Sequence, residues 1–536
     1  KKEKLKMAIS TEMQSQVWKM LNELRGKIEP SEYKNYVFGL MFYKFLSDRE
    51  ENYVKDNAVD FDDLSLQDAW DSAEDEVIEL LQQEIGYYIQ PSELYSEFVK
   101  TVDAGTFSII EFTDAISHFN TQILDDPNDK RAQHALKDIF ADMDLTSNRL
   151  GADVIDRTQT LTKMIRFVED MAVDLENDGD VLGDIYEYLI SMFAMTSGNK
   201  AGEFYTPHQV SKLMARILSD EHDSDTEFSM YDPTMGSGSL LLTMADNLPE
   251  MTTIKYYGQE LNTTTYNLAR MNLAMRGINY NNMALRNGDT LGLDWPDGIV
   301  DGMDSPAFFD AVMANPPYSL SWNTKDREDD PRFRDYGVAP KSYADYAFLL
   351  HSLYHLKDNG RMAIVLPHGV LFRGGAEGKI RQALLKENKI SAVIGLPANI
   401  FTNTSIPTVI LILEKHRSTN GVLFIDGSKG FEKQKKNNVL RDEDIDKIFD
   451  AYKAGKDVDK FAHYADTAEL VENDFNLNIP RYVDTFEAEE PVDLIAVSGN
   501  IKSLDQDIEA NEAELLTMLN DLVGDDDVLE AVRDVF

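Results

Sequence analysis

Short apolar strands alternate with helices through the middle of the chain, and this rhythm constrains its fold more than any other feature. Strands are predicted at Phe228–Asp232, Ile254–Glu260, Ala284–Asp289, Phe309–Asn315, Arg361–Leu366, Ile390–Leu396 and Thr408–Glu414. The intervening helices are predicted at Leu240–Leu248, Asn262–Arg276 and Asp345–Asp358, the last ended by Gly360. Strands and helices in alternation are typical of parallel sheets. The sequence therefore predicts an α/β fold with a doubly wound, mostly parallel, Rossmann-like sheet.

The sequence on either side of this region has helical character. From residue 7 to about 170, apolar residues such as Val17, Leu21 and Leu24 recur at helix spacing, without strand alternation. A further apolar helix is predicted over Val181–Ala194. We predict an N-terminal helical domain over 1–170, an α/β domain over 171–425 whose strands end near 415, and a largely helical C-terminal region over 426–536.

The C-terminal region carries an apolar heptad pattern. The apolar residues at its a and d positions are Ile501, Leu504, Ile508, Leu515, Met518 and Leu522, and Asn511 takes the remaining d position. A seam of this kind predicts a coiled coil with a partner helix, with Asn511 available to set the register. An ordinary amphipathic helix packed within the chain fits three heptads equally well.

Composition limits the chemistry and the partners of the chain. Its 52 basic and 95 acidic residues give a net charge of −43, so the chain on average repels phosphate. A role on DNA then requires a local basic surface or a partner that supplies cations. The absence of cysteine excludes disulfides, thiolate metal sites and a cysteine nucleophile. With no apolar stretch long enough for a bilayer, we expect a soluble, cytoplasmic protein without membrane contact.

Polar side chains stand where four predicted strands end: Asp232, Glu260, Asp289 and Asn315. In an open parallel sheet, ligands bind beyond the carboxyl ends of the strands. The four side chains are therefore expected along one edge of one sheet. The nine histidines show no H-E-x-x-H spacing, and we predict no metal.

A glycine-rich turn follows the first of these strands. It reads Asp232-Pro-Thr234-Met-Gly236-Ser237-Gly238, and its glycines allow close approach of the backbone to a ligand. The dinucleotide fingerprint requires a third glycine, where Leu241 stands. Glu260, at the end of the next strand, can accept hydrogen bonds from both hydroxyls of a ribose. Together they predict a nucleoside-containing cofactor that lacks a pyrophosphate.

The tetrapeptide Asn315-Pro316-Pro317-Tyr318 is the most specific motif of the sequence. The Asn315 side-chain oxygen and the Pro316 carbonyl can each accept an N–H of a nucleobase amine, which frees the lone pair of that amine. The two prolines fix φ and offer no competing N–H. Tyr318 offers a ring on which an extruded base can stack. We therefore predict Asn315, Pro316, Pro317 and Tyr318 as catalytic residues.

Residues 180–415 resemble the amino-methyltransferases of the gamma class, whose cofactor loop precedes the catalytic tetrapeptide. The resemblance implies S-adenosyl-L-methionine as the cofactor. The segment implied to bind the methionine end of the cofactor is Glu203, Phe204, Tyr205, Thr206 and Pro207, and His208, directly after it, is a further candidate. The implied cofactor loop provides Asp232, Thr234, Gly236, Ser237 and Gly238. Glu260 is implied to bind the ribose and Asp289 the adenine.

The whole chain resembles the modification subunits of type I restriction-modification systems. The signs are Leu24-Arg-Gly26 followed by Glu32-Tyr-Lys34, the segment Gly202–Pro207, and the helical tail. Many relatives carry phenylalanine where Tyr318 stands, a change that preserves stacking. The resemblance implies methylation of adenine in DNA by a complex of two such subunits with one specificity subunit, which a nuclease-motor restriction subunit joins.

Other acceptors stay open at this point. The tetrapeptide also suits the exocyclic amine of cytosine, an RNA base or a protein glutamine, whereas methylation of a cytosine ring carbon needs the missing cysteine. A non-catalytic acidic assembly scaffold is the alternative from a different class.

Overall fold

The chain was analysed as a computed structural model. It describes residues 30–57, 64–173, 185–186, 188–190, 192, 206–220, 222, 227–249, 252–292, 299–300, 303–304, 306–401, 405–434, 437–484, 493–520, 527 and 530–531. The helix pattern before residue 30 and the heptad residue Leu522 lie outside these ranges. The described positions between 185 and 192, within the predicted helix Val181–Ala194, are helical. Residues 1–484 and 485–536 form separate compact units, and each is described by itself.

Between residues 30 and 173, the described chain contains six α-helices: α1 Pro30–Asn57, α2 Leu66–Ile85, α3 Tyr95–Ala104, α4 Ile109–Gln122, α5 Arg131–Leu136 and α6 Val154–Val173. Their core is rich in aromatic rings, and the Phe112 ring lies 5.2 Å from the rings of both Tyr43 and Phe98. Such rings bury a large apolar area per residue. Between residues 30 and 173 the described chain forms no strand beyond one isolated bridge, which confirms the predicted helical region.

Helices and strands alternate from residue 208 onward. The helices are α7 His208–Ser219, α8 Ser239–Ala245, α9 Thr263–Met275, α10 Asp345–Tyr354, α11 Gly375–Lys386, α12 Asp442–Ala454 and α13 Thr467–Glu472. The strands are β1 Glu227–Asp232, β2 Thr253–Glu260, β3 Met283–Asn287, β4 Ile299–Val300, β5 Met303–Asp304, β6 Phe309–Ala314, β7 Leu356–Pro367, β8 Ile390–Gly395, β9 Thr408–Glu414, β10 Val422–Asp426, β11 Glu432–Lys433, β12 Asn438–Val439 and β13 Ala462–Ala465.

Nine of these strands form one sheet, in the order β13-β10-β8-β9-β7-β6-β1-β2-β3. Strands β3, β2, β1, β6 and β7 run parallel, and β9 runs antiparallel between β7 and β8. The short pairs β4–β5 and β11–β12 are separate. The predicted doubly wound, mostly parallel fold is confirmed.

Two features differ from the sequence prediction. The sheet continues past residue 415, because Val422–Asp426 pairs with β8 and Ala462–Ala465 pairs with Val422–Asp426. The region after 425 is therefore not simply helical, while the domain boundaries at 170 and 425 stay predictions. Helix α10 ends at Tyr354 rather than Asp358, and Gly360 lies inside β7. The apolar spacing that continues to Leu356 belongs to the strand, which starts directly after the helix.

The two faces of the sheet bury separate apolar cores, because successive side chains of a strand point to opposite faces. Met230 and Ala363 belong to the first core, with residues of α7, α8, α9 and α12. Their neighbours Tyr231 and Ile364 belong to the second core, with residues of α10 and α11. The first core also includes the N-terminal helices, so the N-terminal part and one face of the sheet share a continuous apolar core.

Helix α9 makes several polar contacts between the N-terminal part and the sheet. The Asp142 carboxylate accepts hydrogen bonds from the Thr264 hydroxyl at 2.6 Å and the Asn267 amide at 2.7 Å. The buried Arg270 guanidinium donates to the carbonyls of His134 and Lys137 at 3.2 and 2.9 Å. These bonds hold α9, which directly follows β2, against α5 and the segment after it.

The second unit contains α14, Leu494–Asn520, which spans the predicted heptads up to Met518. The heptad side chains Ile501, Leu504, Ile508, Leu515 and Met518 are exposed. None of the described helices is both long and apolar enough to cross a bilayer.

Candidate active site

The strands that carry the predicted site residues are neighbours in the sheet. Strand β1 lies between β6 and β2, and Tyr231 pairs with Val312 on one side and Tyr257 on the other. Strands β2 and β3, which follow β1 in the chain, lie on one side of it, whereas the later strand β6 lies on its other side. β1 and β6 therefore flank the switch point at which open α/β sheets bind ligands. Asp232 is the last residue of β1, and Asn315 directly follows the last residue of β6.

The glycine-rich turn has the backbone form that its glycines permit. Gly236 and Gly238 have φ values of +54° and +81°, in the left-handed region that favours glycine. A Cβ on Gly238 would lie 2.6 Å from Cδ1 of Leu273, so a larger residue would also require the Leu273 side chain of α9 to shift. Gly238 precedes the first residue of α8, and the turn therefore brings a helix N-terminus to the site.

Glu260 ties this turn to the end of β2. Its Oε2 accepts the Gly236 backbone N–H at 3.1 Å, and its Oε1 accepts the Asn262 backbone N–H at 2.8 Å. Burial raises the pKa of the Glu260 carboxyl, and these backbone donors oppose the rise. Each carboxylate oxygen can accept a second hydrogen bond. Glu260 can therefore hold the loop and still accept ligand hydroxyls.

Asp232 is fully buried, with one oxygen without a protein partner. Its Oδ1 accepts the Thr234 backbone N–H at 2.9 Å, whereas Oδ2 has no hydrogen-bond partner in the described part of the chain. Burial raises the pKa of Asp232 to about 8. The hydroxyls of Thr234 and Ser237 are also buried without partners there. Unpaired buried polar groups are costly, and this cluster fits a polar ligand such as the predicted cofactor.

The loop after β3 carries Asp289, which is exposed at the mouth of this region. Its Oδ1 accepts the Leu291 backbone N–H at 3.0 Å, and its carbonyl accepts the Gly292 N–H at 2.8 Å, so the loop is a tight turn. The buried Thr290 hydroxyl donates to the Pro233 carbonyl at 2.5 Å. The loop therefore contacts the glycine-rich turn as well.

The buried residue Arg332, which was not predicted from the sequence, hydrogen-bonds to this loop. The Arg332 guanidinium binds both carboxylate oxygens of Asp330, at 2.9 and 2.7 Å. It also donates to the carbonyls of Thr290 and Gly292 at 2.9 and 2.8 Å. Arg332 lies on the segment that follows the predicted catalytic tetrapeptide, so it joins that segment to the Asp289 loop.

The same arginine defines the hydrogen bonding of a buried histidine. Arg332 Nη1 lies 3.0 Å from Nδ1 of His351, and since a guanidinium only donates, Nδ1 is the acceptor. Nε2 then carries the proton and donates to the Tyr231 hydroxyl at 2.9 Å, which in turn donates to Gln259 at 3.0 Å. Burial lowers the pKa of His351 well below its usual value, in agreement with a neutral ring.

Asn315 contacts two other predicted site residues. Its Nδ2 donates to the buried Thr206 hydroxyl at 3.0 Å, and its Oδ1 accepts the Tyr318 hydroxyl at 2.8 Å. The structure thus brings Thr206, from the predicted methionine-end segment, to the predicted catalytic tetrapeptide. Burial, with a smaller effect of the Asp345 carboxylate, raises the pKa of Tyr318, so its hydroxyl stays a donor.

An aromatic contact lies beside the tetrapeptide. The Phe401 ring meets the Tyr318 ring edge-on, with centroids 6.2 Å apart and an interplanar angle of 86°. Pro316 is buried and Pro317 is partly buried. Phe401 lies after β8 and was missed because a single phenylalanine in a loop carries no motif.

The other predicted residues have simpler outcomes. Glu203, Phe204 and Tyr205 lie outside the described residues. Pro207 directly precedes α7, and His208 is its first residue. Within the described ranges, histidines and carboxylates form no group suited to a metal ion.

Two family models match the chain and together cover most of it. The model described as N-6 DNA Methylase matches residues 177–491, and the model described as the HsdM N-terminal domain matches residues 13–168. The chain is 35% identical over 534 residues to the Type I restriction enzyme MpnII methylase subunit of Mycoplasma pneumoniae, covering 96% of each chain. It is 31% identical to the MjaVIII methylase subunit of Methanocaldococcus jannaschii, covering 87% of this chain and 77% of that protein.

The fold also matches a solved structure. The methyltransferase subunit of the type I restriction-modification system from Streptococcus thermophilus superimposes with a TM-score of 0.79 at 44% sequence identity. The match covers 88% of this chain and 99% of that one.

Proposed function

Because the chain belongs to the N-6 DNA methylase family as a methyltransferase subunit of a type I restriction-modification system, we propose that it methylates the exocyclic amine of adenine at a specific DNA sequence with S-adenosyl-L-methionine as the methyl donor. The observation that supports this most is the placement of Asn315 beside Thr206 and Tyr318, one strand away from the Asp232 turn. The family decides in favour of adenine among the acceptors that the tetrapeptide alone leaves open.

The residues around β1 and β2 fit the proposed cofactor. Asp232 Oδ2 and the hydroxyls of Thr234 and Ser237 are buried acceptors or donors without partners among the described residues. Glu260 keeps acceptor capacity for ribose hydroxyls, and Asp289 is exposed at the mouth of the loop. S-adenosyl-L-methionine, when bound, supplies a methyl group activated by a positively charged sulfur.

Asn315 prepares the amine that is to be methylated. An exocyclic amine is a poor nucleophile because its lone pair is delocalised into the ring. The Asn315 Oδ1 and the Pro316 carbonyl each accept one N–H, which draws the nitrogen toward a tetrahedral geometry. Thr206 holds Nδ2 of Asn315, so the amide oxygen keeps its orientation.

The bond from the Tyr318 hydroxyl still allows Asn315 Oδ1 to accept an N–H of the amine. It occupies one acceptor position of Asn315 Oδ1, and a carbonyl oxygen has two lone pairs, so the amine N–H can use the second. The Tyr318 ring, supported edge-on by Phe401, provides the stacking face for the extruded base.

Recognition of the DNA sequence is assigned to a partner. A chain with net charge −43 has few cations for the phosphate contacts that fix register and for base-edge contacts. We place a specificity subunit on the exposed heptad side chains of α14, in a complex with a second copy of this chain and, for restriction, the nuclease-motor subunit. We propose that this complex acts in the cytoplasm.

Two measurements test the proposal. Calorimetric titration of the isolated chain with S-adenosyl-L-methionine should show one site per chain. Methylation of DNA from a strain that lacks the system should require the co-encoded specificity subunit. Absence of cofactor binding, or full methylation of a defined site by this chain alone, would refute the corresponding part of the proposal.

A further inference from the structure

A residue with unusual backbone geometry follows the catalytic tetrapeptide. Ser319 has a φ of +55°, in the left-handed region that residues with a Cβ rarely adopt. Such a conformation persists only where surrounding contacts hold it, and it is found often at functional sites. The exposed Ser319 side chain has no described contact that would do so, which directs attention to its backbone.

The Ser319 backbone N–H is held by a buried carboxylate. It donates to Oδ1 of Asp345 at 3.0 Å, and the Asp345 side chain is fully buried. A buried carboxylate is costly unless it is paired and hydrogen-bonded. Asp345 is the first residue of α10, where the helix N-terminus also favours a negative charge.

The second oxygen of this carboxylate reaches a different loop. Asp345 Oδ2 accepts Arg373 Nη1 at 3.0 Å, and the same nitrogen donates to Glu377 at 3.1 Å. Arg373 lies in the loop that follows β7, the neighbour of β6 in the sheet. Its guanidinium carbon also lies 4.7 Å from the centroid of the Tyr343 ring.

We propose that Asp345 is a positioning residue for methyl transfer, which fixes the turn after Tyr318 and ties it through Arg373 to the loop after β7. By holding Ser319 in the left-handed conformation, Asp345 sets the direction in which the tetrapeptide leaves β6. That direction determines where the Asn315 oxygen, the Pro316 carbonyl and the Tyr318 ring lie relative to one another. This role rests on the proposed function of Asn315.

The test compares Asp345→Ala and Asp345→Asn in the complete complex with the specificity subunit. Single-turnover methylation should fall about 100-fold in Asp345→Ala, the scale expected for small misplacements of reacting groups. Asp345→Asn loses the ion pair with Arg373 and weakens the hydrogen bond to the Ser319 N–H, because a neutral amide oxygen is a poorer acceptor than a carboxylate. Its rate should fall about 10-fold. Cofactor affinity and the KM for DNA should change less than threefold in both. Asp450→Asn, on the exposed side of α12, is the matched control.

A second substitution separates positioning from general stability. Glycine adopts positive φ without the cost of a Cβ, so Ser319→Gly added to either Asp345 variant should recover at least fivefold of the lost rate. A loss that is due only to weaker packing of α10 would not respond to a change at Ser319. If Asp345→Ala does not fold, Asp345→Asn with and without Ser319→Gly gives the same comparison.

The outcomes separate this proposal from the proposed function. Wild-type rates in both Asp345 variants, or no recovery with Ser319→Gly, would overturn the positioning role while an inactive Asn315→Ala variant still supports the catalytic site. Full activity of Asn315→Ala would instead overturn the proposed function itself.

Discussion

The side-chain amide of Asn315 donates a hydrogen bond to the hydroxyl of Thr206, at 3.0 Å and across 109 positions of sequence. One residue belongs to the predicted catalytic tetrapeptide and the other to the segment predicted to contact the methionine end of the cofactor. Because Thr206 engages the nitrogen of the amide, the oxygen keeps one lone pair, beside the bond from Tyr318, for the proposed acceptor amine. The bond therefore couples the predicted cofactor segment to the orientation of the predicted catalytic group.

Thr206→Val should lower the methylation rate about 5- to 100-fold. Valine has nearly the shape of threonine but accepts no hydrogen bond, and an unsatisfied donor costs about 1–3 kcal/mol. The amide of Asn315 then keeps its bond to the Tyr318 hydroxyl but loses the contact that fixes its nitrogen. Thr206→Ser keeps the hydroxyl and is the control, with an expected rate within threefold of wild type. Equal rates in the valine and serine variants would contradict the role of this bond.

Asn315→Ala should abolish methyl transfer while cofactor affinity stays nearly intact, because Asn315 acts on the acceptor amine. Calorimetry on the isolated chain measures the affinity, and methylation by the assembled complex measures the rate. Loss of cofactor binding in this variant would show that Asn315 has a different role.

Arg332→Lys should weaken cofactor binding about 10-fold and leave the rate at saturating cofactor within a fewfold of wild type. Lysine keeps the charge but cannot reproduce the planar fork that binds Asp330 and the carbonyls of Thr290 and Gly292 together. The Asp289 loop then loses its support. Arg334→Lys, at an exposed position in the same segment, is the control. A lower rate with unchanged affinity would place the function of Arg332 elsewhere.

Cofactor affinity should depend on pH through Asp232. Burial raises the pKa of Asp232 to about 8 from an ordinary value of 3.8, so at pH 7 the free chain carries it largely protonated. A positively charged ligand favours the carboxylate. Binding must then release a proton, and affinity should rise by up to tenfold per pH unit from pH 6 to 8 and level off above 8. Calorimetry in buffers of different ionisation enthalpy measures the released proton.

The same shift predicts the direction of a stability change in the free chain. A carboxyl whose pKa is raised by folding stabilises the folded state at low pH, and this contribution is lost as pH rises from about 4 through about 8. Asp232→Asn removes the titration. Its melting temperature should therefore fall less than that of wild type between pH 6 and 9, and parallel pH profiles of the two proteins would argue against a raised pKa.

Leu504→Glu and Ile508→Glu should weaken binding of the specificity subunit at least 10-fold, because each places a charge in the apolar heptad seam of α14. The isolated chain should keep its cofactor affinity. Gln506→Glu adds the same charge at an outer heptad position and is the control. Pull-down or analytical ultracentrifugation with the purified specificity subunit measures assembly, and unaffected assembly in the seam variants would remove α14 from the interface.

Local sequence patterns predicted the strands well where apolar runs are bounded by polar residues. Thr408–Glu414 was predicted with its observed bounds, and Phe228–Asp232 and Ile254–Glu260 each lack only their first residue. The antiparallel direction of β9 and the pairing of the short strand Ala462–Ala465 were not predicted, because direction and pairing depend on contacts far away in sequence.

In the candidate site, too, residues in local motifs were predicted, whereas residues that depend on distant contacts were not. Asn315, Asp232 and Glu260 were found because each lies at or directly after the end of a strand, next to a recognisable turn. Arg332, His351 and Asp345 were missed because their roles depend on partners that only the folded chain brings together, and none stands in a motif. Buried polar residues on the helix and loops beyond a catalytic motif are therefore poorly visible from a single sequence.

Asp142 of the N-terminal part accepts hydrogen bonds from helix α9, and α9 follows the strand that ends in Glu260. Its N-terminal residues must therefore suit two parts of the chain at the same time. A chimaera that exchanges the N-terminal helices between related enzymes would have to carry Thr264, Asn267 and Arg270 with them. The segment that must be exchanged as a whole is therefore larger than the N-terminal helices, because it also includes α9, on the predicted cofactor side of the sheet.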